Sequence, residues 1–299
     1  MASHFLHLAT EIIVVDSSSD ETPEICRSML PTRTKIIKHP PGLYQSWKAA
    51  IQTVESEFVY ISTIGDTLDP GFMERMLDCC INNSLDMLIS PPQFMGAEEG
   101  YFWPIHKIIS KYNIRDLVVL EGHDAGALNL FSLSKYYLSS LSGSFASNLV
   151  RADLLKKNPF PTNYGGFGDT MWFARVCDKI RLGILPELGS TFLIHPKAHQ
   201  KFSREKLDFS WLEALNFQSS TPSWPKMNAV KNKTEKHHYC KIDLKKIRKE
   251  SSKVTDHFFD KVYLSLRKKY LYIQLKREIQ SLEAGVKKVI SSASRSIKD

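Results

Sequence analysis

The 299-residue chain has no apolar run long enough to span a membrane. Its opening stretch lacks the charged, apolar and small-residue order of a signal peptide. The five cysteines, Cys26, Cys79, Cys80, Cys177 and Cys240, are odd in number and nowhere spaced CxxC. No disulfide framework or zinc site is therefore indicated, and a reducing compartment fits. There is no internal repeat. There is also no groove-reading motif and no basic stripe interleaved with aromatics, so nothing points to nucleic acid. What is present is a hydrophobic fraction of 42%, which belongs to a globular protein. The length suits one large domain plus an appendage.

The formal net charge of +8 is unevenly placed. From Pro225 to Asp299 there are 20 Lys and Arg against 8 Asp and Glu, whereas the first 224 residues carry a net −4. The body is mildly acidic and needs no polyanionic partner; the basicity belongs to the C-terminal quarter.

The most informative stretch is Glu11 to Pro23, EIIVVDSSSDETP. Ile12 to Val15 form a short apolar run closed by a polar cluster, the pattern of a buried strand in a parallel sheet. Asp16 follows the strand directly. Ligands of open α/β sheets bind beyond the carboxyl ends of the strands, so a carboxylate there can meet one. Ser18 and its neighbours add hydroxyls and backbone N–H groups. Thr22 and Pro23 fit the N-cap and first position of a helix. An ordinary capped turn explains the same residues.

Further strands are expected at Lys35–Lys38 and Phe58–Ser62, with a helix over Leu43–Glu55 between them and another over Phe72–Cys80. Alternation of this kind predicts βαβ units. Met87–Ile89 fits one more strand, and Pro91–Gly126 reads as loop-rich, with Tyr101 and Trp103 exposed or lining a cleft. A short strand and turn fall in Phe145–Leu155, a helix over Thr170–Lys179, and one or two strands in Ile184–Ile194. Ser220–Asn232 has a linker's composition. Beyond it, Lys241–Lys249 and His257–Ile290 read as helical, the latter with an apolar stripe of Phe258, Val262, Leu266, Tyr270, Ile273 and Leu275. The expected division is a domain over 1–219, a linker over 220–240 and a basic helical tail over 241–299.

Three blocks, in this order, resemble the inverting family 2 glycosyltransferases, which have the GT-A fold. They are EIIVVDSSSDET; Gly42-Leu43-Tyr44 with its helix and strand leading into Thr63-Ile64-Gly65-Asp66 and Pro70; and Gly166-Phe167-Gly168-Asp169 with the helix that follows. The resemblance spans about residues 11–200. It implies a GT-A-like, Rossmann-like α/β domain with a mostly parallel sheet flanked by helices, and a basic helical extension beyond it.

The resemblance also implies a hexosyltransferase-type enzyme of polysaccharide biosynthesis. Such an enzyme moves a sugar from a nucleotide-sugar donor to a glycan or lipid-linked acceptor. Asp16 would contact the nucleotide base, within a donor site that includes Ser18, Asp20, Gly42 and Asp66. Asp66 and His195 would lie at a site for Mg²⁺ or Mn²⁺, hard cations that favour oxygen ligands. Asp169 would be the general base.

The residues themselves also allow plainer roles: Asp16 and Asp20 as turn and cap residues, Asp66 as a loop cap, Asp169 as the N-cap of the helix at Thr170, and His195 at a surface turn. Tyr101 and Trp103 suit sugar stacking, but buried aromatics are commoner.

Three departures from the family pattern stand out. A single Asp66 replaces the usual two or three aspartates. Gly168 stands where a Glu is usual. Only ten residues precede Glu11, where a strand and helix are usual. An incomplete N-terminus is expected, or Phe5–Leu8 as an imperfect substitute for the strand. The first and third departures raise a competing expectation, a glycosyltransferase-like binding module without catalysis. The basic tail fits a solvated helical appendage packed on the body, or an amphipathic helix on an anionic membrane surface. The expected location is cytoplasmic, or peripheral on the inner face of a membrane.

Overall fold

A computed structural model describes residues 9–97, 101–136, 139–194 and 258–296. The expectations for Phe5–Leu8, His195, the 220–240 linker and the 241–249 helix fall outside these residues.

The chain opens with β1 (Ile12–Asp16), α1 (Thr22–Met29), β2 (Thr34–Lys38) and α2 (Leu43–Gln52). β1 and β2 pair in parallel, with Asp16 opposite Lys38 at their carboxyl ends. A short β3 (Phe58–Tyr60), β4 (Thr67–Leu68) and α3 (Pro70–Asn82) follow. Asp69 starts α3: its carboxylate accepts the Phe72 N–H at 2.7 Å, and Pro70 occupies the first turn, where no N–H is needed. Next come β5 (Met87–Ile89), β6 (Gln93–Met95), α4 (Pro104–Tyr112), β7 (Val118–Glu121) and α5 (Gly122–Lys135). The last elements are β8 (Asn148–Arg151), α6 (Ala152–Lys157), α7 (Gly168–Val176), β9 (Arg181–Ile184), β10 (Ser190–Leu193) and α8 (Phe258–Ser296).

The main sheet has the order β3-β8-β5-β9-β7, and a small sheet has the order β4-β10-β6. The α/β architecture is as expected, but the sheet is mixed. β3, β5 and β9 run the same way, while β8 is inserted antiparallel between β3 and β5, and β7 closes the far edge antiparallel to β9. The direction of β8 follows from its long return connection, which no local pattern records.

Strand alternation places side chains on two faces. Met87, Ile89, Val150, Leu182 and Ile184 enter the larger core with α5 and α7, while Leu88 and Leu149 meet Phe72, Met76 and Cys80 of α3 on the other side.

The Pro91–Gly126 stretch is not loop-rich, for it holds β6, α4, β7 and the start of α5. α5 escapes a periodicity search because it is buried nearly all round. Ala125, Ala127, Leu128, Leu130, Phe131 and Leu133 are all buried, together with Asn129 and Ser132. Asn129 is satisfied there, accepting from Leu141 N–H at 3.0 Å and from the Ser140 hydroxyl at 3.2 Å.

α8 packs on α5 and β7. Its inward stripe is Leu271, Leu275, Ile279, Leu282, Val286 and Ile290, spaced by three and four. The stripe expected from the sequence ran through Leu266, Tyr270 and Ile273, which are exposed. Both rows are apolar, and only the packing partner decides which one turns inward.

Candidate functional site

Asp16 ends β1 with its side chain buried. The Ser18 N–H and hydroxyl donate to its Oδ1 at 3.0 and 2.6 Å, and Lys38 Nζ reaches Oδ2 at 2.7 Å. The Lys38 and Ser18 hydrogen bonds hold the carboxyl down at about 2, so it is ionised at any physiological pH. Lys38 also donates to the Ser18 carbonyl, which ties the loop to β2. Parallel register puts Lys38 there, and the sequence reading did not single it out.

Asp20 accepts from the Thr22 N–H at 3.0 Å and from the Thr22 hydroxyl. Thr22 is therefore the first helical residue and Asp20 its acceptor, a shift of one residue from the expected cap. Gly42 sits just before α2, where its carbonyl accepts the Ser46 N–H at 2.8 Å.

Asp66 lies after a turn in which Gly65 has φ +96°, a conformation favouring glycine. A Cβ on Gly65 would lie 2.3 Å from the Leu193 side chain. Asp66 Oδ1 accepts the Leu193 N–H at 3.1 Å, and Oδ2 accepts the hydroxyl and N–H of Thr63. Its carboxylate thus joins the 63–66 turn to β10. Both Asp66 oxygens already accept hydrogen bonds, and among the described residues, which leave out His195, no three His, Cys, Asp or Glu side chains converge.

Asp169 lies in the first turn of α7, where the helix dipole favours a negative charge. It is inside the helix and is not its N-cap. The residue as a whole is partly exposed, but protein atoms crowd the carboxyl. Burial pushes its pKa up to about 6, against the opposing pull of the Thr170 N–H and the Tyr44 hydroxyl. Tyr44 itself is buried, and its phenol is raised by that burial and by the nearby Asp169 charge. Its hydroxyl donates to the Gly166 carbonyl at 3.1 Å.

Tyr44 was legible only as an apolar position of α2. It belongs to a wall of rings. It stacks on Phe160 at 5.8 Å and meets Trp47 edge-on at 5.2 Å; Phe145 then packs on Trp47, Phe160 and Trp172. The 3-10 turn Phe145–Ser147 packs on β10, the strand that holds Asp66. Asp16, Asp66 and Asp169 are each held by their own partners. Trp103 is core: it lies against Phe94, Phe192 and Gly143, whereas Tyr101 is more open.

Residues 3–136 match the family described as Glycosyl transferase family 2. No curated protein matches the chain in sequence. Among solved structures, S. aureus TarS 1–349 in complex with UDP is similar with a TM-score of 0.52 and 15% identity, covering 96% of this chain and 82% of that one. The same TarS fragment in complex with UDP-GlcNAc gives a TM-score of 0.53 and 14% identity, covering 96% of this chain and 83% of that one. The fold is that of the GT-A glycosyltransferases. Within that fold, residues 3–136 are the part that matches the family 2 glycosyltransferases.

Proposed function

We propose that the protein transfers a sugar from a nucleotide-sugar donor to a hydroxyl of a glycan or lipid-linked acceptor, inverting the anomeric centre in a single displacement. The observation that carries this reading is Asp169 in the first turn of α7, partly exposed, with its carboxyl crowded and raised to about 6 and the Tyr44 hydroxyl beside it. A base poised near the working pH is the most effective proton acceptor. Asp169 takes the acceptor proton as the acceptor oxygen bonds to the anomeric carbon and the bond to the nucleotide diphosphate breaks. Asp16, kept ionised by Lys38 and Ser18, suits an N–H of the nucleotide base as a hydrogen-bond acceptor. Ser18 and Gly42 border the donor, and Asp66 fixes the turn near its diphosphate. The UDP and UDP-GlcNAc bound by TarS support a uridine-type donor. A divalent cation is not part of this proposal, because Asp66 is already engaged.

That engagement favours a second reading, a binding module without catalysis. Thermal shift against UDP and UDP-sugars, paired with assay of nucleotide diphosphate release, separates the two. Stabilisation by the donor, with release abolished in Asp169→Asn, supports the enzyme. Stabilisation without release supports the module, and neither result sinks both.

A further inference from the structure

α8 has two apolar rows. The inward row belongs to the core. The outward row is Leu266, Tyr270 and Ile273, spaced by four and three, with exposures of 62%, 60% and 43%. At 3.6 residues per turn this row lies opposite Leu275, Ile279 and Val286. Exposed Lys269, Lys276 and Arg277 rim it, and Lys287 and Lys288 continue the basic surface along the helix. The helix as a whole carries nine basic and three acidic residues. Among the side chains that are described, no acid shares the outward row, and Glu283 reaches back to Lys111 of α4.

We infer that this outward row docks on an anionic lipid surface, with Leu266, Tyr270 and Ile273 entering the headgroup boundary and the lysines and Arg277 meeting lipid phosphates. Charge complementarity selects this occupant. A purely solvated helix face has no use for two large aliphatics and a tyrosine in one row. A protein partner of ordinary composition would not match a face with cations and no acid. Tyrosine and long basic side chains are suited to the boundary, each with an apolar body and a polar end. Among the described residues no helix is long and apolar enough to cross a membrane, so the contact is peripheral. Docking through the outward row leaves the inward row, and hence the body, undisturbed.

The test is co-sedimentation of the full chain with vesicles of phosphatidylcholine alone, or with about one-third phosphatidylglycerol, at low and high salt. Two variants accompany it: Leu266→Ser/Tyr270→Ser/Ile273→Ser, and Lys269→Glu/Lys276→Glu/Arg277→Glu. Thermal unfolding checks that each is folded, and light scattering gives the oligomeric state. Binding to the anionic vesicles only, weakened by salt and about tenfold or more by each variant, supports the proposal. Absent binding, or binding that either folded variant leaves unchanged, overturns it. So does a wild-type oligomer that the serine variant converts to a monomer without any vesicle binding, since the row would then join copies of the chain.

Discussion

The ring of Tyr44 occupies the space that a side chain at residue 168 would need. A Cβ on Gly168 would lie 2.5 Å from two carbons of that ring and 2.8 Å from the Pro161 carbonyl oxygen. The glycine that departs from the family pattern and the tyrosine beside the proposed base are one packing solution. Tyr44 fills the position from the facing helix and brings a hydroxyl to Asp169.

Gly168→Ala is accordingly expected to displace Tyr44 and lower stability by about 1–3 kcal/mol, as overpacking does. Gly168→Glu alone fares worse. Combining it with Tyr44→Ala relieves the clash with the ring but not that with the Pro161 carbonyl, so the double variant stays destabilised yet is more stable than the sum of the single effects allows. Chemical denaturation of the four proteins measures the coupling, and strict additivity would dissolve the link between the two residues.

The pH dependence follows from Asp169. Its folded pKa of about 6 lies above the ordinary 3.8. The protonated form is favoured in the fold, so the stability this group contributes is complete below 3.8 and is lost as pH rises through about 6. Asp169→Asn should match the wild type near pH 4 and exceed it in Tm near pH 8, within about a unit of pH, while transfer falls by about 10²- to 10⁴-fold. kcat/KM of the wild type should rise with pH through about 6. Tyr44→Phe removes the hydroxyl whose pull lowers this pKa, so its acid limb should move to higher pH. A limb that stays in place would show the hydroxyl to be a packing group only.

Glu11 joins two strands that share no ladder. Its Oε1 accepts the Glu55 and Ser56 N–H groups at 2.6 and 2.8 Å and the Ser56 hydroxyl at 2.8 Å. Burial works against the charge, but these bonds prevail and hold the carboxyl at about 2. Glu11→Ala removes three hydrogen bonds to a charged acceptor, only partly replaced by Thr10 and water, and should cost about 1–3 kcal/mol. Being depressed, the group contributes stability above 4.5 that is lost as pH falls through about 2, so the difference between variant and wild type should shrink in acid. Urea unfolding at two pH values checks both points.

Asp66 should matter to stability whether or not cations are present. Asp66→Ala removes the acceptor of the Leu193 N–H and frees the Thr63 turn, a loss of about 1–3 kcal/mol that a chelator should leave unchanged. A loss seen only with added Mn²⁺ would instead mark Asp66 as a metal ligand.

Much of this architecture could be read in advance, and the reasons are local. β1, β2, α1, α2 and α3 carry their own signals: an apolar run, a capping aspartate, a proline in the first turn. Asp16, Asp66 and Asp169 stand out as carboxylates placed where strands or turns end. Lys38, Tyr44 and Leu193 do not, because each becomes part of the site only through a neighbour far away in the chain. α5 was missed because a helix buried on every side has no polar face to mark its period.

The sequence by itself determined, to within about two residues, where β1, β2, β3, β5, α1, α2 and α3 begin, and which carboxylates lie near their ends, because caps and hydrophobic periods act over a few residues; it did not show β4. Tertiary structure alone decided that β8 lies antiparallel inside the sheet, that Tyr44 fills the space beside Gly168, and which of the two rows on α8 faces the core. Each of these depends on surfaces meeting across long loops, and a linear pattern carries no record of what a side chain will meet there.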